Sequence, residues 1–345
     1  MIVLFIHQAP GPLQRGFKCV PSRIQTPAGA SKRLETVYAQ IRRVFGHDEF
    51  QAPFPHTVRY MNVPFGIQQL QLGRALTSNS NAERALLAAK EAGFDCIELN
   101  GFMIRKTPLI ARLLLSASGM PIKRSQKLDW QHLLKESDLN VISIHEDLGT
   151  LENNFDVVAK EISLYEPRVI VLTGMYRFPY DDEERLGELV VRLNRVGRKL
   201  KEEGVSFLYH NHSAEFQHVD MDQNVYDFLV AGLNPDWVNF EFDSYWAISA
   251  GADPKAWINR LKGRLKLYHV CDRGNRDKGP YMTPIIASDA MELGRGNMNL
   301  DEYIPLAVEC GAEAIILEQH RNYIAKDPIA SLQISAKYLK QFHGK

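Results

Sequence analysis

The chain has 345 residues, of which 45% are hydrophobic and 24% charged, and its 41 Lys and Arg residues balance its 41 Asp and Glu residues. This composition is typical of a globular protein with one large or two modest domains. The zero net charge argues against a nucleic-acid-binding face or a membrane-surface protein, although it leaves room for a local basic pocket. The four cysteines are scattered without Cys-x-x-Cys spacing, which predicts reduced thiols in a cytoplasmic protein.

The first 60 residues differ in composition from the rest of the chain. The apolar run at 1–6 lacks a basic flank and is far below the ~18–20 residues that a membrane span requires. The sequence therefore predicts neither a signal peptide nor a transmembrane segment. Residues 8–55 are rich in Pro, Gly, Gln, Ser and Arg. We expect residues 1–60 to form a weakly ordered extension and residues 62–345 to form the folded domain.

From residue 65 onward, strand and helix signals alternate. Short apolar segments rich in β-branched and aromatic residues suit buried parallel strands, and helical patterns separate them. The strands are predicted at 65–71, 94–99, 140–145, 168–173, 205–212, 238–243, 265–270 and 314–320. The helices are predicted at 82–92, 107–137 with a break at 119–121, 152–165, 181–203, 222–232, 254–262, 299–311 and 328–342. Ser80 or Asn81 is expected to cap the first of these helices, and Gly93 is expected to end it.

Eight strands and eight helical regions favour an α/β fold, the (β/α)8 TIM barrel, whose usual size is ~250 residues. The rival fold is a doubly wound open sheet, which would bind a nucleotide on a glycine-rich first turn. No G-x-G-x-x-G or G-x-x-x-x-G-K-[ST] motif follows any predicted strand. The sequence therefore predicts the barrel.

Metal-type side chains lie at the ends of the last four predicted strands. They are His210 and His212, Glu241 and Asp243, His269, and Glu318. One strand-end histidine is usually a hydrogen-bonded pocket residue, but mixed imidazole and carboxylate groups at the same barrel end suit a catalytic divalent ion. We expect Asp243, His269 and Glu318 to bind the metal. Residues two apart on a strand share a face, so either His210 or His212 can complete the set while the other contacts substrate or supports a ligand.

Other strand ends and loops supply further candidates. Glu98, at the end of the second strand, is a catalytic partner or part of a structural ion pair, and His145, at the end of the third strand, is a candidate pocket residue. Trp246 could stack against a sugar ring or pack beneath a loop. The long loop at 270–297 carries four basic residues, including Arg295. It is either a solvated loop, which we favour, or a lid that grips an anionic or polyhydroxy substrate.

Several segments resemble, in family order, the sugar phosphate isomerase/epimerase group of the xylose isomerase-like TIM barrels. They are YHNHSAEF at 209–216, FEFDSYW at 240–246, GADP at 251–254, LKGR at 261–264 leading to Tyr268 and His269, ELGRGN at 292–297, and LEQHR at 317–321. The resemblance covers about residues 62–342 and none of residues 1–60. It is most specific from Tyr209 onward.

The resemblance implies one divalent ion (manganese, zinc, magnesium or cobalt) held by a fifth-strand residue, Asp243, His269 and Glu318. Sugar-epimerising members have a glutamate on the fifth strand that works with the last glutamate as acid and base. This chain has His210, or His212, at that position. Related barrels with histidines there include dehydratases and lyases of keto-inositols and keto-sugars. A second departure is Arg295, where relatives carry an acidic residue.

These patterns predict a divalent-metal-dependent sugar isomerase or epimerase that transfers a proton beside a metal-bound carbonyl. The alternative is a dehydratase or lyase of a keto-sugar or keto-inositol. The expected catalytic residues are Glu318, His212 and Glu98, the expected metal ligands are His210, Asp243, His269 and Glu318, and the expected substrate-binding residues are His145, Trp246, Arg295 and Arg321. We expect a sugar or polyol substrate, no nucleic-acid or membrane partner, and leave homo-oligomerisation open. An AP endonuclease and a metal-free binding barrel are weaker alternatives.

Overall fold

Eight parallel strands close into a barrel in the computed structural model, which describes residues 62–73, 75–107, 125–175, 177–276 and 279–343. The barrel strands are β1 Phe65–Gln68, β2 Cys96–Asn100, β3 Asn140–Glu146, β4 Val169–Leu172, β5 Ser206–His210, β6 Val238–Asp243, β7 Leu265–Val270 and β10 Ala314–Leu317. They follow one another in chain order around the barrel, and β1 pairs with β10 to close it. The predicted fold class is confirmed. The expected extension at 1–60 and the helix break at 119–121 lie outside the described residues.

Helices surround the barrel and connect successive strands. They are α1 Asn79–Ala92, α2 Gly101–Ile104, α3 Trp130–Ser137, α4 Leu148–Asn153, α5 Phe155–Tyr165, α6 Glu183–Glu202, α7 Val225–Gly232, α8 Ser244–Ser249, α9 Pro254–Arg260, α10 Leu300–Glu309 and α11 Pro328–Leu339. Short 3-10 turns occur at Gln69–Leu72, Ala214–Phe216, Ile324–Lys326 and Lys340–Phe342. Among the described residues, no helix combines the length and apolar character needed to cross a bilayer.

The helix ends follow local capping chemistry. Ser78, rather than Ser80 or Asn81, caps α1, because its side chain accepts a hydrogen bond from the Asn81 backbone. Gly93 ends α1 as predicted, with a φ of 106° that favours glycine. Along α6, buried leucines recur at helical spacing and pack against the barrel.

Some predicted elements differ in detail. The strands β6 and β7 have the predicted bounds, whereas β1 ends at Gln68 and continues as a 3-10 turn. The predicted helix at 152–165 is two helices, α4 and α5, and an unpredicted helix, α8, follows β6. Inside the loop at 270–297, the short strands β8 Asp272–Gly274 and β9 Asp289–Met291 pair as an antiparallel ribbon.

The apolar residues form two layers on opposite sides of the barrel wall. The larger layer lies between strands and helices and includes Phe240 and Phe242, the β6 residues that alternate with Glu241. The smaller layer fills the barrel interior with Cys96, Ile142, Val169, Val171, Leu208, Leu267, Ala314 and Ile316. Gly66 of β1 completes this inner packing, since a β-carbon there would lie 2.6 Å from Ile316 and 2.8 Å from Cys96. The interior is therefore closed by packing at this level, and the polar residues lie beyond it.

Candidate metal centre and active site

Titratable side chains meet inside the barrel at the carboxyl ends of its strands. They are Glu98 on β2, His145 on β3, His210 on β5, Glu241 and Asp243 on β6, His269 on β7, and Glu318 directly after β10. All are buried except Glu318, whose side chain is 11% exposed. Active sites of TIM barrels lie at this end of the strands.

Asp243 is held in a fixed orientation by its neighbours. Its Oδ1 caps α8 by accepting the backbone N–H groups of Tyr245 at 2.7 Å and Trp246 at 3.2 Å. The Asn211 side-chain amide brackets the Asp243 backbone, accepting its N–H at 2.9 Å and donating to its carbonyl at 3.1 Å. These contacts leave the second carboxylate oxygen, Oδ2, directed toward His269.

The His269 ring separates two carboxylate pairs. Its Nδ1 lies 3.0 Å from Glu318 Oε2 and 3.9 Å from Asp243 Oδ2. Its Nε2 lies 2.8 Å from Glu98 Oε1 and 3.2 Å from Glu241 Oε1. One ring nitrogen can therefore bind an ion while the other donates its proton to a carboxylate, as histidine ligands usually do.

His210, Asp243, His269 and Glu318 each offer one ligand atom, and these atoms all lie within 4.8 Å of one another. Ligands about 2.1 Å from a single ion lie at most about 4.2 Å apart, so small side-chain shifts would bring the set onto one ion. Two imidazoles and two carboxylates suit a borderline divalent ion such as zinc, manganese or cobalt. The donor set therefore fits the predicted metal, and these are the four ligands that the sequence predicts.

A second group of donors lies further inside the barrel. His145 Nε2 is 2.9 Å from both Glu98 Oε1 and Glu241 Oε2, and His210 Nδ1 is also 2.9 Å from Glu241 Oε2. The Ser143 hydroxyl donates a short hydrogen bond to Glu98. Among the described residues, no Lys or Arg forms an ion pair with Glu98, Glu241, Asp243 or Glu318.

The histidines and carboxylates shift one another's pKa values. Burial alone would lower the pKa of His145, but the charges of Glu98 and Glu241 raise it to about 10. Burial likewise opposes the shift at His269, whose neighbouring carboxylates raise its pKa well above the usual value. Burial would raise the pKa of Glu318, but its hydrogen bond from His269 and the nearby histidine charges lower it to about 2. The cavity therefore holds anionic carboxylates that only imidazole protons or a bound cation can neutralise.

His212 lies just beyond the end of β5, beside the metal-type set. Its ring centroid is 4.8 Å from that of His210, and its backbone N–H donates to the buried Glu215 at 2.8 Å. A β-carbon on Gly174, whose φ is 108°, would lie 3.1 Å from His212 Nδ1, so glycine leaves room for the ring. Burial, followed by the charge of His210, lowers the pKa of His212 to about 3. Neither ring nitrogen of His212 hydrogen-bonds to another described residue, which leaves both available to a substrate.

Aromatic side chains line one wall of the site. The Trp246 ring lies 5.6 Å from His212 and 5.5 Å from His320, and it stacks on His320 at an interplanar angle of 16°. Tyr245 packs edge-on against Trp246 at 5.0 Å. Arg321 donates to the Tyr245 hydroxyl at 3.3 Å. This wall presents flat surfaces and polar edges, which suit a sugar ring.

The structure brings most of the predicted site residues together. Glu98, His145, His210, His212, Asp243, His269, Glu318 and Trp246 surround one region, and Arg321 lies at its rim, paired with Asp289 at 2.7 Å. Arg295 lies apart, exposed on a turn where its backbone N–H donates to the Glu292 carbonyl. Its predicted role in substrate binding therefore stays a prediction without a contact to support it.

Two contributions to the site were not predicted. Strand alternation predicted that Glu241 shares a face with Asp243. It did not predict that Glu241 lies between three histidines. His320 extends the aromatic wall, and its position two residues after Glu318 was the available signal.

A sequence profile of the xylose isomerase-like TIM barrel family matches residues 86–342. The chain therefore belongs to the xylose isomerase-like TIM barrel family, as its motifs predicted. It is also similar to inosose dehydratases of Lacticaseibacillus casei (28% identity over 94 residues, 27% of this chain and 30% of the relative) and Clostridium beijerinckii (22% identity over 182 residues, 50% and 59%). The match thus spans less than two thirds of either relative's length.

Solved structures share the fold. A sugar phosphate isomerase/epimerase from Parabacteroides distasonis has a TM-score of 0.62 at 20% identity, over 84% of this chain and 98% of its own. A xylose isomerase-like TIM barrel protein from Mycobacterium smegmatis in complex with magnesium has a TM-score of 0.55 at 16% identity, over 81% and 96%. The IOLI protein with a bound zinc atom has a TM-score of 0.54 at 14% identity, over 81% and 98%.

Proposed function

We propose that this chain is a divalent-metal-dependent isomerase or epimerase of a keto-sugar or keto-polyol. The observation that carries the proposal is the set of four donors, His210, Asp243, His269 and Glu318, at the carboxyl end of the barrel. Beside it lies His212, whose ring nitrogens form no hydrogen bond with another described residue. Solved relatives of the same fold hold magnesium or zinc, which supports a metal here.

The four donors would hold the ion through His210 Nε2, His269 Nδ1 and one oxygen each of Asp243 and Glu318. The hydrogen bonds already made by His210 Nδ1 and Asp243 Oδ1 favour this choice of atoms. When bound, a divalent ion polarises a substrate carbonyl and makes the neighbouring C–H bond more acidic.

Protein groups then move the proton. Glu318 is the most exposed of the four carboxylates in the site, and it can take the proton from the carbon beside the carbonyl. His212 can return or receive a proton on the substrate, because its ring nitrogens have no partner among the described residues. Glu98 is fully buried and held by Ser143, His145 and His269, which favours the structural ion-pair alternative over its predicted catalytic role.

The wall of Trp246 and His320 would stack against the sugar, and Arg321 would contact its hydroxyl groups from the rim. We also retain His145 as a proposed pocket residue, although its Nε2 faces Glu98 and Glu241. The substrate would therefore lie between an aromatic face and the metal-type cluster.

A specific observation favours a second candidate, a dehydratase. The inosose dehydratases named above are similar to this chain, and the proposed proton-transfer pair is a carboxylate and an imidazole rather than two glutamates. A carboxylate or a neutral imidazole can remove the proton from the carbon beside the carbonyl, and the group so protonated can deliver that proton to the hydroxyl group on the adjacent carbon, which leaves as water.

The test is turnover of keto-sugars and inosose analogues by the metal-loaded protein in deuterated water. Epimerisation should place solvent deuterium on the carbon beside the carbonyl without a change in elemental composition. Dehydration should yield a product lighter by one water. A product whose carbon-bound hydrogens are unmoved, with no water lost, would exclude both candidates.

His210→Gln and His212→Gln form a matched pair for the same assay. The His210 variant should lose metal, whereas the His212 variant should keep metal and lose turnover by about 10²–10⁴-fold. Elemental analysis and rate measurement on both variants check this assignment. Equal metal loss in both would contradict the distinct roles given to these two histidines.

A further inference from the structure

We propose that Glu241 is a positioning residue that orients the histidine ligand His210 from the side opposite the ion. The inference rests on the metal site of the proposed function. Glu241 itself would contact neither the ion nor the substrate.

The contacts of Glu241 face the outer nitrogens of the His210 and His269 rings. Its Oε2 forms a hydrogen bond of 2.9 Å with His210 Nδ1. Its Oε1 lies 3.2 Å from His269 Nε2, but that nitrogen forms its hydrogen bond with Glu98 Oε1 at 2.8 Å. A neutral imidazole carries one ring proton, so a carboxylate that takes this hydrogen bond fixes which nitrogen carries a lone pair. His210 is then committed to Nε2 for the ion. Glu98 takes the hydrogen bond of His269 Nε2, so Glu98 rather than Glu241 commits His269 to Nδ1, the nitrogen that faces Asp243 and Glu318.

The strand register explains why this carboxylate lies where it does. His210 and Glu241 are direct partners in the pairing of β5 with β6. A carboxylate ligand offers two equivalent oxygens, whereas an imidazole binds an ion through only one nitrogen in one orientation. A histidine ligand on β5 therefore needs an orienting group, and the paired position on the next strand provides one.

The burial of Glu241 argues against a packing role. The side chain is fully buried but charged, whereas the residues of the same strand that pack in the apolar core are the phenylalanines Phe240 and Phe242. A buried carboxylate without full hydrogen bonding is energetically costly. Glu241 Oε1 accepts no hydrogen bond of good geometry even though it is inaccessible to water. Such a costly group is retained where it acts on its neighbours.

A rival explanation makes Glu241 a ligand. His145, His210, Glu241 and His269 also offer donor atoms within 4.8 Å of one another, so they could hold a second ion deeper in the barrel. Positioning and ligation differ in stoichiometry, because the first predicts one ion per chain and the second predicts two.

The experiment combines zinc titration with long-range 1H–15N spectra of the zinc-loaded protein, which report the protonated nitrogen of each histidine. The variants are Glu241→Met, which removes the acceptor, and Glu241→Gln, which keeps one acceptor oxygen but removes the charge. Glu98→Gln is the matched control, because Glu98 contacts His145 and His269 but forms no hydrogen bond or ion pair with His210. Phe242→Leu controls for loss of core packing on β6.

We expect one zinc ion per wild-type chain. Glu241→Met should weaken zinc binding about 10–100-fold and give His210 a mixture of protonated nitrogens. Glu241→Gln should fall between that variant and the wild type. Glu98→Gln and Phe242→Leu should leave the His210 signal unchanged.

Unchanged zinc affinity and an unchanged His210 signal in a folded Glu241→Met protein would overturn the inference while leaving the proposed function intact. Two ions in the wild type and one in Glu241→Met would also overturn it, in favour of a ligand role. If the wild-type chain binds no divalent ion at all, the proposed function fails and this inference fails with it.

Discussion

The two levels of the barrel interior are built by the same strands but have opposite chemistry. Cys96, Leu208, Leu267 and Ile316 belong to the apolar inner layer, and the residues two positions later are Glu98, His210, His269 and Glu318. Side chains two apart on a strand share a face, so one side-chain repeat separates dry packing from a charged cluster. The alignment of the strands around the barrel therefore positions both the apolar layer and the charged cluster.

The difference between the two levels assigns stability to the apolar layer and the proposed chemistry to the charged layer above it. The apolar layer supplies burial and closes the barrel below the site, at about 25 cal/mol per Å² of apolar surface removed from water. The upper layer places four carboxylates and several histidines out of water, which costs free energy unless they are paired or neutralised. Changes in the upper layer should alter metal and turnover, and changes in the lower layer should alter stability.

The largest effect should follow Glu318→Gln. The amide keeps the shape of the side chain but cannot accept the substrate proton and binds a cation more weakly, so turnover should fall about 10³-fold or more. Excess metal should restore occupancy without restoring the rate. Metal content by elemental analysis and initial rates, measured on the same preparations, check this. Recovery of the wild-type rate with excess metal would show that Glu318 is a ligand and not the base.

Asp243→Asn should have the next largest effect. Asparagine can still cap α8 through its side-chain oxygen, so the barrel should remain folded, while the lost charge should weaken metal binding. We expect a metal affinity at least about 10-fold lower, with the far-ultraviolet circular dichroism of the wild type. Asp253→Asn is a matched control, because Asp253 caps α9 in the same way outside the site. Wild-type metal affinity in the Asp243 variant would remove this residue from the proposed set.

The barrel could be predicted from the sequence because the spacing of apolar residues along each strand and helix indicates which side chains are buried. Val238–Asp243 and Leu265–Val270 are continuous apolar or alternating runs, and their predicted bounds match the structure. The ribbon of β8 and β9 was missed, since its three-residue strands are too short to show alternation. The helix α8 was read only as aromatic residues after a strand.

The candidate site was predicted in part for a similar reason. Strand ends identified Asp243, His269 and Glu318 as neighbours, because TIM barrels gather strand ends at one rim. Glu241 could not be assigned, since its role depends on the register that places it opposite His210. His212 lies past the end of β5, so its closeness to His210 comes from the loop that Glu215 holds and not from strand alternation.

Leu208→Ala tests the lower level of the comparison. Leu208 is fully buried in the inner layer, and truncation of a buried leucine costs about 2–5 kcal/mol of unfolding free energy. Metal affinity should stay that of the wild type at temperatures where the variant is folded. Urea unfolding and metal titration measure the two quantities separately.

The control is Val191→Ala, at a position 58% exposed on α6, which should change stability by less than about 0.5 kcal/mol. A large loss of metal in Leu208→Ala would show that the two levels are coupled.

A charged cluster outside the site should give the most specific effect, a change in stability with pH. Arg105 pairs with Glu146 and with Glu161 at 2.7 Å, so this cluster contains the fixed cation that the site lacks. Burial, reinforced by the charge of Glu146, raises the pKa of Glu161 from 4.5 to about 8 despite the opposing charge of Arg105. The folded chain therefore holds this proton more tightly than the unfolded chain. The stability that this proton contributes is complete below pH 4.5 and is lost as the pH rises toward 8.

We expect the unfolding free energy to fall across this window in the wild type and to fall less in Glu161→Gln, which cannot ionise. Urea unfolding of both proteins at several pH values between 5 and 8 measures the difference. Parallel pH profiles would mean that Glu161 is already ionised beside Arg105, so that this cluster, unlike the site, is neutralised by its own arginine.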